Sequence, residues 1–261
     1  MSILDQIIAD KKREVALRKK IFSAQYWEKS PLFERVTFSL AERLQKSSSG
    51  IIAEHKRRSP SRSNINSSLT VADVAKGYEA AGVCGMSVLT DLKYFGGSLE
   101  DLNTARAVSN FPLLRKEFII DPYQLIEAKA HGADVILLIA AVLDRNEIKL
   151  LSETAKSLGL EVLLEVHNEE ELDKSIMPSL DMLGVNNRNL KTFDVSLETS
   201  KQLALKIPND FVKVSESGIS EVEAIQELKT FGYEGFLIGE NFMKTDNPGE
   251  AALKFIKKLN L

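Results

Sequence analysis

The 261-residue sequence holds a single cysteine, Cys84, and only three histidines, His55, His131 and His167, scattered too widely to give metal-ligand spacing. One thiol excludes intramolecular disulfides and cysteine-rich metal sites, and fits a reducing compartment. No apolar run approaches the length of a membrane span. The first ten residues carry acidic groups and no apolar signal stretch, so the expected location is the cytoplasm. Neither charge sign dominates: 34 Lys and Arg face 37 Asp and Glu. That balance leaves no basic field for nucleic acid or anionic lipid, and Arg57-Arg58 is too short to make a patch, so any anion site must be built locally. A Gly-rich turn after the first strand-like run is also missing, which argues against an open doubly wound sheet.

What is present is alternation. Eight short apolar runs begin at Ile51, Met86, Leu113, Val135, Val162, Met182, Phe211 and Gly235, with helical patterns between them. Thr70–Ala81, Pro122–His131, Arg145–Leu158 and Glu221–Phe231 are the clearest of these, and glycines follow at 82, 132, 159 and 232. Eight strands, seven crossovers and a closing helix at Pro248–Leu259 predict an α/β fold, a (β/α)8 TIM barrel, for which this length is typical. Residues 49–261 would form the barrel. Residues 1–48, with Ile3, Leu4, Ile7, Ile8, Val15 and Leu17 at roughly helical spacing, would form an N-terminal helical extension ending at Ser47-Ser48-Ser49-Gly50.

In such a barrel, catalytic groups stand at the C-terminal ends of strands, so a charge late in an apolar run is informative. Side chains two apart share a face: Glu54 goes with Lys56, Lys116 with Leu114, and Glu165 with Leu163. With Glu216 after the seventh run, two lysines and three carboxylates would converge on one mouth, an arrangement too costly to be incidental. Phosphate is the second signal. Ser215-Glu216-Ser217-Gly218-Ile219 and Gly239-Glu240-Asn241 fall where barrels bind phosphate through backbone amides, and Lys56-Arg57-Arg58-Ser59-Pro60-Ser61 adds cations and hydroxyls. His55 should face the surrounding helices, His131 should sit at a helix end where it suits the dipole, and Cys84, Trp27 and the phenylalanines read as packing residues.

The run Ile51-Ile52-Ala53-Glu54-His55-Lys56-Arg57-Arg58-Ser59-Pro60-Ser61 resembles the first-strand signature of indole-3-glycerol phosphate synthases. Ser87-Val88-Leu89-Thr90-Asp91, Leu114-Arg115-Lys116-Glu117-Phe118, Leu164-Glu165-Val166-His167, Gly184-Val185-Asn186-Asn187-Arg188 and Ser215-Glu216-Ser217-Gly218-Ile219 match in the same order. The resemblance implies cyclisation of 1-(2-carboxyphenylamino)-1-deoxyribulose 5-phosphate to indole-3-glycerol phosphate with loss of carbon dioxide and water, without a cofactor or metal. It assigns Lys116 as general acid and Lys56 to the anthranilate carboxylate and to dehydration. Glu54 and Glu165 become acid/base carboxylates whose division of labour stays open. Asn186, Glu216 and Ser217 orient substrate, and Arg188 supports the site. Phosphate falls to Ser59, Ser61, Gly218, Gly239 and Glu240, the last two through backbone amides. For its role, Lys116 is expected to have its pKa pulled toward neutrality by desolvation and neighbouring cations.

Two positions depart from the family pattern: His55 stands where an apolar or aromatic residue is usual, and Ser63-Asn64-Ile65-Asn66 replaces a Lys-Gly-type continuation. They leave Arg58 as a further phosphate-facing candidate. The chain stops soon after the closing helix, which reads as a monofunctional enzyme; a monomer acting on a small-molecule substrate is the separate expectation. The alternatives are a Schiff-base barrel with Lys116 or Lys213 as nucleophile, and a catalytically silent sugar-phosphate-binding barrel.

Overall fold

The computed structural model describes residues 2–190 and 192–260. Its strands are β1 (Ile51–His55), β2 (Gly85–Leu89), β3 (Leu113–Lys116), β4 (Val135–Ile139), β5 (Glu161–Val166), β6 (Met182–Asn186), β7 (Val212–Glu216) and β8 (Tyr233–Ile238). All pair in parallel in sequence order, and β8 returns to β1 through Ile51–Phe236 and Ile52–Leu237, closing the barrel. The helices are α1 (Ile3–Ile21), α2 (Ala24–Glu28), α3 (Leu40–Lys46), α4 (Val71–Ala81), α5 (Leu92–Phe95), α6 (Leu99–Val108), α7 (Pro122–Ala130), α8 (Arg145–Ser157), α9 (Glu169–Ser175), α10 (Glu198–Ala204), α11 (Val222–Thr230), α12 (Glu240–Met243) and α13 (Pro248–Leu259).

Period-two alternation sorts the strand residues into two cores. Ile51, Ala53, Met86, Val88, Leu164 and Val185 pack outward against the helices. Ile52, Leu114, Leu137, Leu163, Met182, Val214 and Leu237 fill the barrel. The helices start where short polar side chains satisfy the first free amides: Thr70 caps α4 through the Asp73 N–H, and Asp144 with Glu147 forms a reciprocal box on α8.

The extension differs from an all-helical reading. Residues 29–39 between α2 and α3 are turn and extended chain, held by Asp134, which accepts from the Arg35 guanidinium at 2.6 Å and the Phe38 amide at 2.8 Å. The short helix α3 then plugs the N-terminal end of the barrel, where Leu40 and Leu44 join Cys84 in the interior core. The apolar spacing in α1 also misleads at one point: Leu17 is exposed, and the buried stripe is Ile7, Lys11 and Val15.

Candidate active site

Counting by twos from the interior core places the charges. Glu54 follows Ile52, Lys116 follows Leu114, Glu165 follows Leu163 and Glu216 follows Val214, so all four point into the barrel near its C-terminal end. The Lys116 ammonium lies 2.5 Å from Glu216 Oε2, 3.6 Å from Glu165 Oε2 and 3.9 Å from Glu54 Oε2, while Lys56 Nζ sits 2.6 Å from Glu54 Oε1. Room for this ring comes partly from Gly184 on β6, where a Cβ would stand 2.5 Å from Glu216 Oε1.

Burial sets the electrostatics and the neighbours decide the signs. Desolvation alone would weaken the Lys116 ammonium, but Glu216, Glu165 and Glu54 together outweigh it, so its pKa is raised. This reverses the lowered value expected from sequence, because the groups that converge on this lysine are mostly anions. Burial would raise the Glu54 carboxyl, yet Lys56 and Lys116 hold it below its ordinary value. Burial likewise opposes ionisation of Glu165, and is overruled by His167, Lys116 and the Asn186 amide, so that carboxyl is depressed. Glu216 goes the other way. Burial and the charge of Glu165 push it up to about 7 against the pull of Lys116. Lys116 keeps two other carboxylates as partners, so its charge survives a proton on Glu216; that proton rests most easily there, where Oε1 has no hydrogen-bond partner.

Above the ring opens a cavity of about 390 Å³, within the usual range for small-molecule sites. One wall is apolar, with Leu89, Phe95, Phe118, Leu137, Ile139, Leu190 and Phe193, and α1 adds Ile3, Leu4 and Ile7. The other wall carries Ser59, Ser61, Ser217, Gly218, Gly239 and Glu240. Ser217 and Gly218 take consecutive left-handed conformations at φ 68° and 79°, and a Cβ on Gly218 would meet Val195 Cγ1 at 2.4 Å, which is why glycine suits that turn. The short helix α12 begins at Gly239 with no side-chain cap, leaving its N-terminus open to an anion beside the turn after β7. Asn186 and Arg188 also line the cavity; the Asn186 Oδ1 accepts from the Arg188 amide at 3.0 Å, and the Arg188 guanidinium donates to the Phe193 carbonyl at 3.2 Å.

Some expected residues lie elsewhere. Arg58 is not on the cavity wall: its guanidinium donates to the Leu92 and Lys93 carbonyls at 2.7 and 3.1 Å, turned aside onto α5. The Glu240 carboxylate is engaged by Arg62, an ion pair joining the first and last loops beside the cavity. Lys213 points outward between Val212 and Val214 and donates to the Ala204 carbonyl at 2.9 Å, so it cannot serve a nucleophilic role in the cavity. His131 caps α7 through its Nδ1 and the Glu127 carbonyl, 2.7 Å apart, but burial lowers its pKa, so a neutral hydrogen bond replaces the expected charge–dipole contact. Lys244 and Arg62 beside the serine- and glycine-lined wall, and His167 behind Glu165, are not among the site residues expected from sequence. The first two belong to no recognisable motif, and His167 lies in a matched segment, Leu164-Glu165-Val166-His167, without a role implied for it.

Among the described residues, no cluster of three or more His, Cys, Asp and Glu could hold a metal ion, and no helix is long and apolar enough to cross a membrane. Solved structures with the same architecture include 3-hexulose-6-phosphate synthase from Salmonella typhimurium, at TM-score 0.64 and 15% identity over 81% of this chain and 98% of that one; at this distance the likeness is one of fold. An indole-3-glycerol phosphate synthase from Bacteroides thetaiotaomicron is 49% identical over 98% of each chain, and one from Chromobacterium violaceum is 44% identical over 95% of this chain and 96% of that one. The family model described as indole-3-glycerol phosphate synthase matches residues 4–256, and the chain therefore belongs to the indole-3-glycerol phosphate synthase family.

Proposed function

We propose that the protein is a cytoplasmic, monomeric enzyme that cyclises 1-(2-carboxyphenylamino)-1-deoxyribulose 5-phosphate to indole-3-glycerol phosphate, releasing carbon dioxide and water, in tryptophan biosynthesis. The observation that carries this reading is the placement of Lys116 among Glu216, Glu165 and Glu54, with Lys56 on Glu54, between an apolar wall and a phosphate-type turn. The aromatic ring would lie against Phe118, Leu137 and Ile139, with the phosphate at Ser217, Gly218, Gly239, Ser59 and Ser61.

In that pose the ring carbon bearing the carboxylate attacks the ketone carbon, and Lys116 passes a proton to the ketone oxygen as negative charge develops on it. The carbon–carboxylate bond then breaks, carbon dioxide leaves, and its electron pair restores the aromatic ring. Lys56, first paired with the substrate carboxylate, gives a proton to the departing hydroxyl. Glu165, the depressed carboxylate, takes the proton lost as the pyrrole double bond forms and passes it to Lys116, 3.6 Å away, while Lys56, held by the ionised Glu54, regains its proton from solvent, the one proton that the overall reaction consumes. A Schiff base on Lys116 would require a free amine, which three facing carboxylates disfavour. Incubating the purified protein with the substrate should generate indole fluorescence in stoichiometric step with carbon dioxide. Binding without product would instead favour a silent sugar-phosphate barrel, and a borohydride-trapped adduct on Lys116 would replace acid catalysis with imine chemistry.

A further inference from the structure

Two residues past Glu165, the His167 ring stands between two carboxylates. Its Nε2 lies 3.3 Å from Glu165 Oε1, at ion-pair distance but without hydrogen-bond alignment, and its Nδ1 lies 3.1 Å from Glu171 Oε2. The same Glu171 oxygen accepts from the His167 backbone amide at 2.8 Å, and the other accepts from the Asn168 side chain at 3.0 Å, so the second carboxylate is fixed from three sides. His167 is not on the cavity wall, and its side chain is only 10% exposed. The ring therefore links the reacting-side carboxylate of β5 to the start of α9, in the manner of a histidine oriented by one acid and acting on another.

We propose that His167 is a positioning residue: fixed by Glu171 on one side, its ring holds the Glu165 carboxylate in place and in its charged form from the other. The inference rests on the catalytic reading of Glu165 given above. Five charged or polar groups face Glu165: Lys116 from β3, Glu54 from β1, Asn186 from β6, Glu216 from β7 and His167 from its own loop. Lys116 is shared among three carboxylates, whereas His167 faces Glu165 and Glu171 alone. Removing His167 would take from Glu165 the facing cation that it does not share with Glu54 and Glu216, leaving it only Lys116, so Glu165 would take up a proton more easily. Burial opposes the imidazolium, but the two carboxylates outweigh it and raise its pKa to about 10.

Two measurements test this. With only three histidines in the chain, side-chain ¹⁵N NMR can follow each ring. The expected result is a His167 ring doubly protonated at pH 8, titrating at least about one unit lower in Glu165→Gln, as loss of a facing charge requires. In the kinetic arm, His167→Asn should fold normally, with its acid limb of kcat/KM moved up by about one pH unit relative to wild type, and Glu171→Gln should move it the same way by less. A His167 that titrates at or below the ordinary 6.5, or an acid limb unmoved by His167→Asn in an active enzyme, overturns the proposal. If the wild-type protein forms no product, the catalytic reading fails by itself, and the response of the His167 titration to Glu165→Gln still decides whether the pair exists.

Discussion

At Lys116 and Glu216, two residues one hundred positions apart share a 2.5 Å contact, and they respond to burial in opposite ways. The lysine is kept charged while the glutamate accepts a proton near neutrality. Replacing Lys116 with alanine removes the proposed proton donor without touching the Ser217–Gly218 turn, so kcat should fall by ~10²–10⁴-fold with KM little changed, as steady-state kinetics would read. A rate near wild type would remove Lys116 from the acid role. His55 supports a separate prediction. Buried on the outward face of β1 with Nε2 unpartnered, its ring has its pKa pushed down to about 4, mainly by burial and also by Arg57. The folded state thus refuses a proton that the unfolded chain accepts below about 6.5. The stability contributed by neutral His55 is fully present above that pH and is lost as pH falls toward 4, on the order of 2–3 kcal/mol. Denaturant melts from pH 7 to pH 4 should show wild type losing that much more than His55→Leu; parallel losses would contradict the burial argument.

Among the elements, α1 is the least expected in its mode of attachment. Lys11 is 2% exposed and lies 3.0 Å from Asp91 and 3.1 Å from Glu117, the neighbour of Lys116, while Arg18 reaches Glu127 on α7 at 2.6 Å. A charge buried in the stripe where apolar residues are expected ties the helix to the ends of β2 and β3, and Ile3, Leu4 and Ile7 complete the cavity wall. Lys11→Met leaves the buried Asp91 without its cation and Glu117 with only Arg115 at 3.8 Å beside its hydrogen bonds, which costs roughly 3 kcal/mol and lowers Tm by about 10 °C in a barrel of this size. Because α1 forms wall rather than reacting groups, KM should rise more than kcat falls; a variant with unchanged Tm and KM would show that the helix is held by its apolar contacts alone. The strand and helix cores were readable from periodicity: α4 (Val71–Ala81), α8 (Arg145–Ser157) and α13 (Pro248–Leu259) fall within a residue of their expected limits. The extended belt at residues 29–39 was not, because its anchor, Asp134, lies about a hundred residues away.

Across the whole molecule, the wall proposed to hold phosphate joins the ends of the chain's barrel: loop one supplies Ser59 and Ser61, the turn after β7 supplies Ser217 and Gly218, and α12 supplies its N-terminus. A ligand bound only by the closed barrel stabilises it by mass action. Inorganic phosphate at about tenfold its Kd should add about 1.4 kcal/mol and raise Tm by roughly 3–6 °C in wild type, and much less in Gly218→Ala, where the new methyl meets Val195 and the backbone is strained. Equal rises in both proteins would move the anion site elsewhere. By itself the sequence determined the barrel, since eight apolar runs with period-two faces and intervening helical stripes have few other ways to be buried. It also determined which charges point inward, because parity along a strand is local. How those charges meet follows from the packing of the whole barrel. Closure and register bring three carboxylates to Lys116 and reverse the sign of its pKa shift, draw Lys11 into a buried latch, turn Arg58 away from the cavity and set His167 behind Glu165. Each of these depends on distances between residues far apart in the chain, which no local pattern encodes.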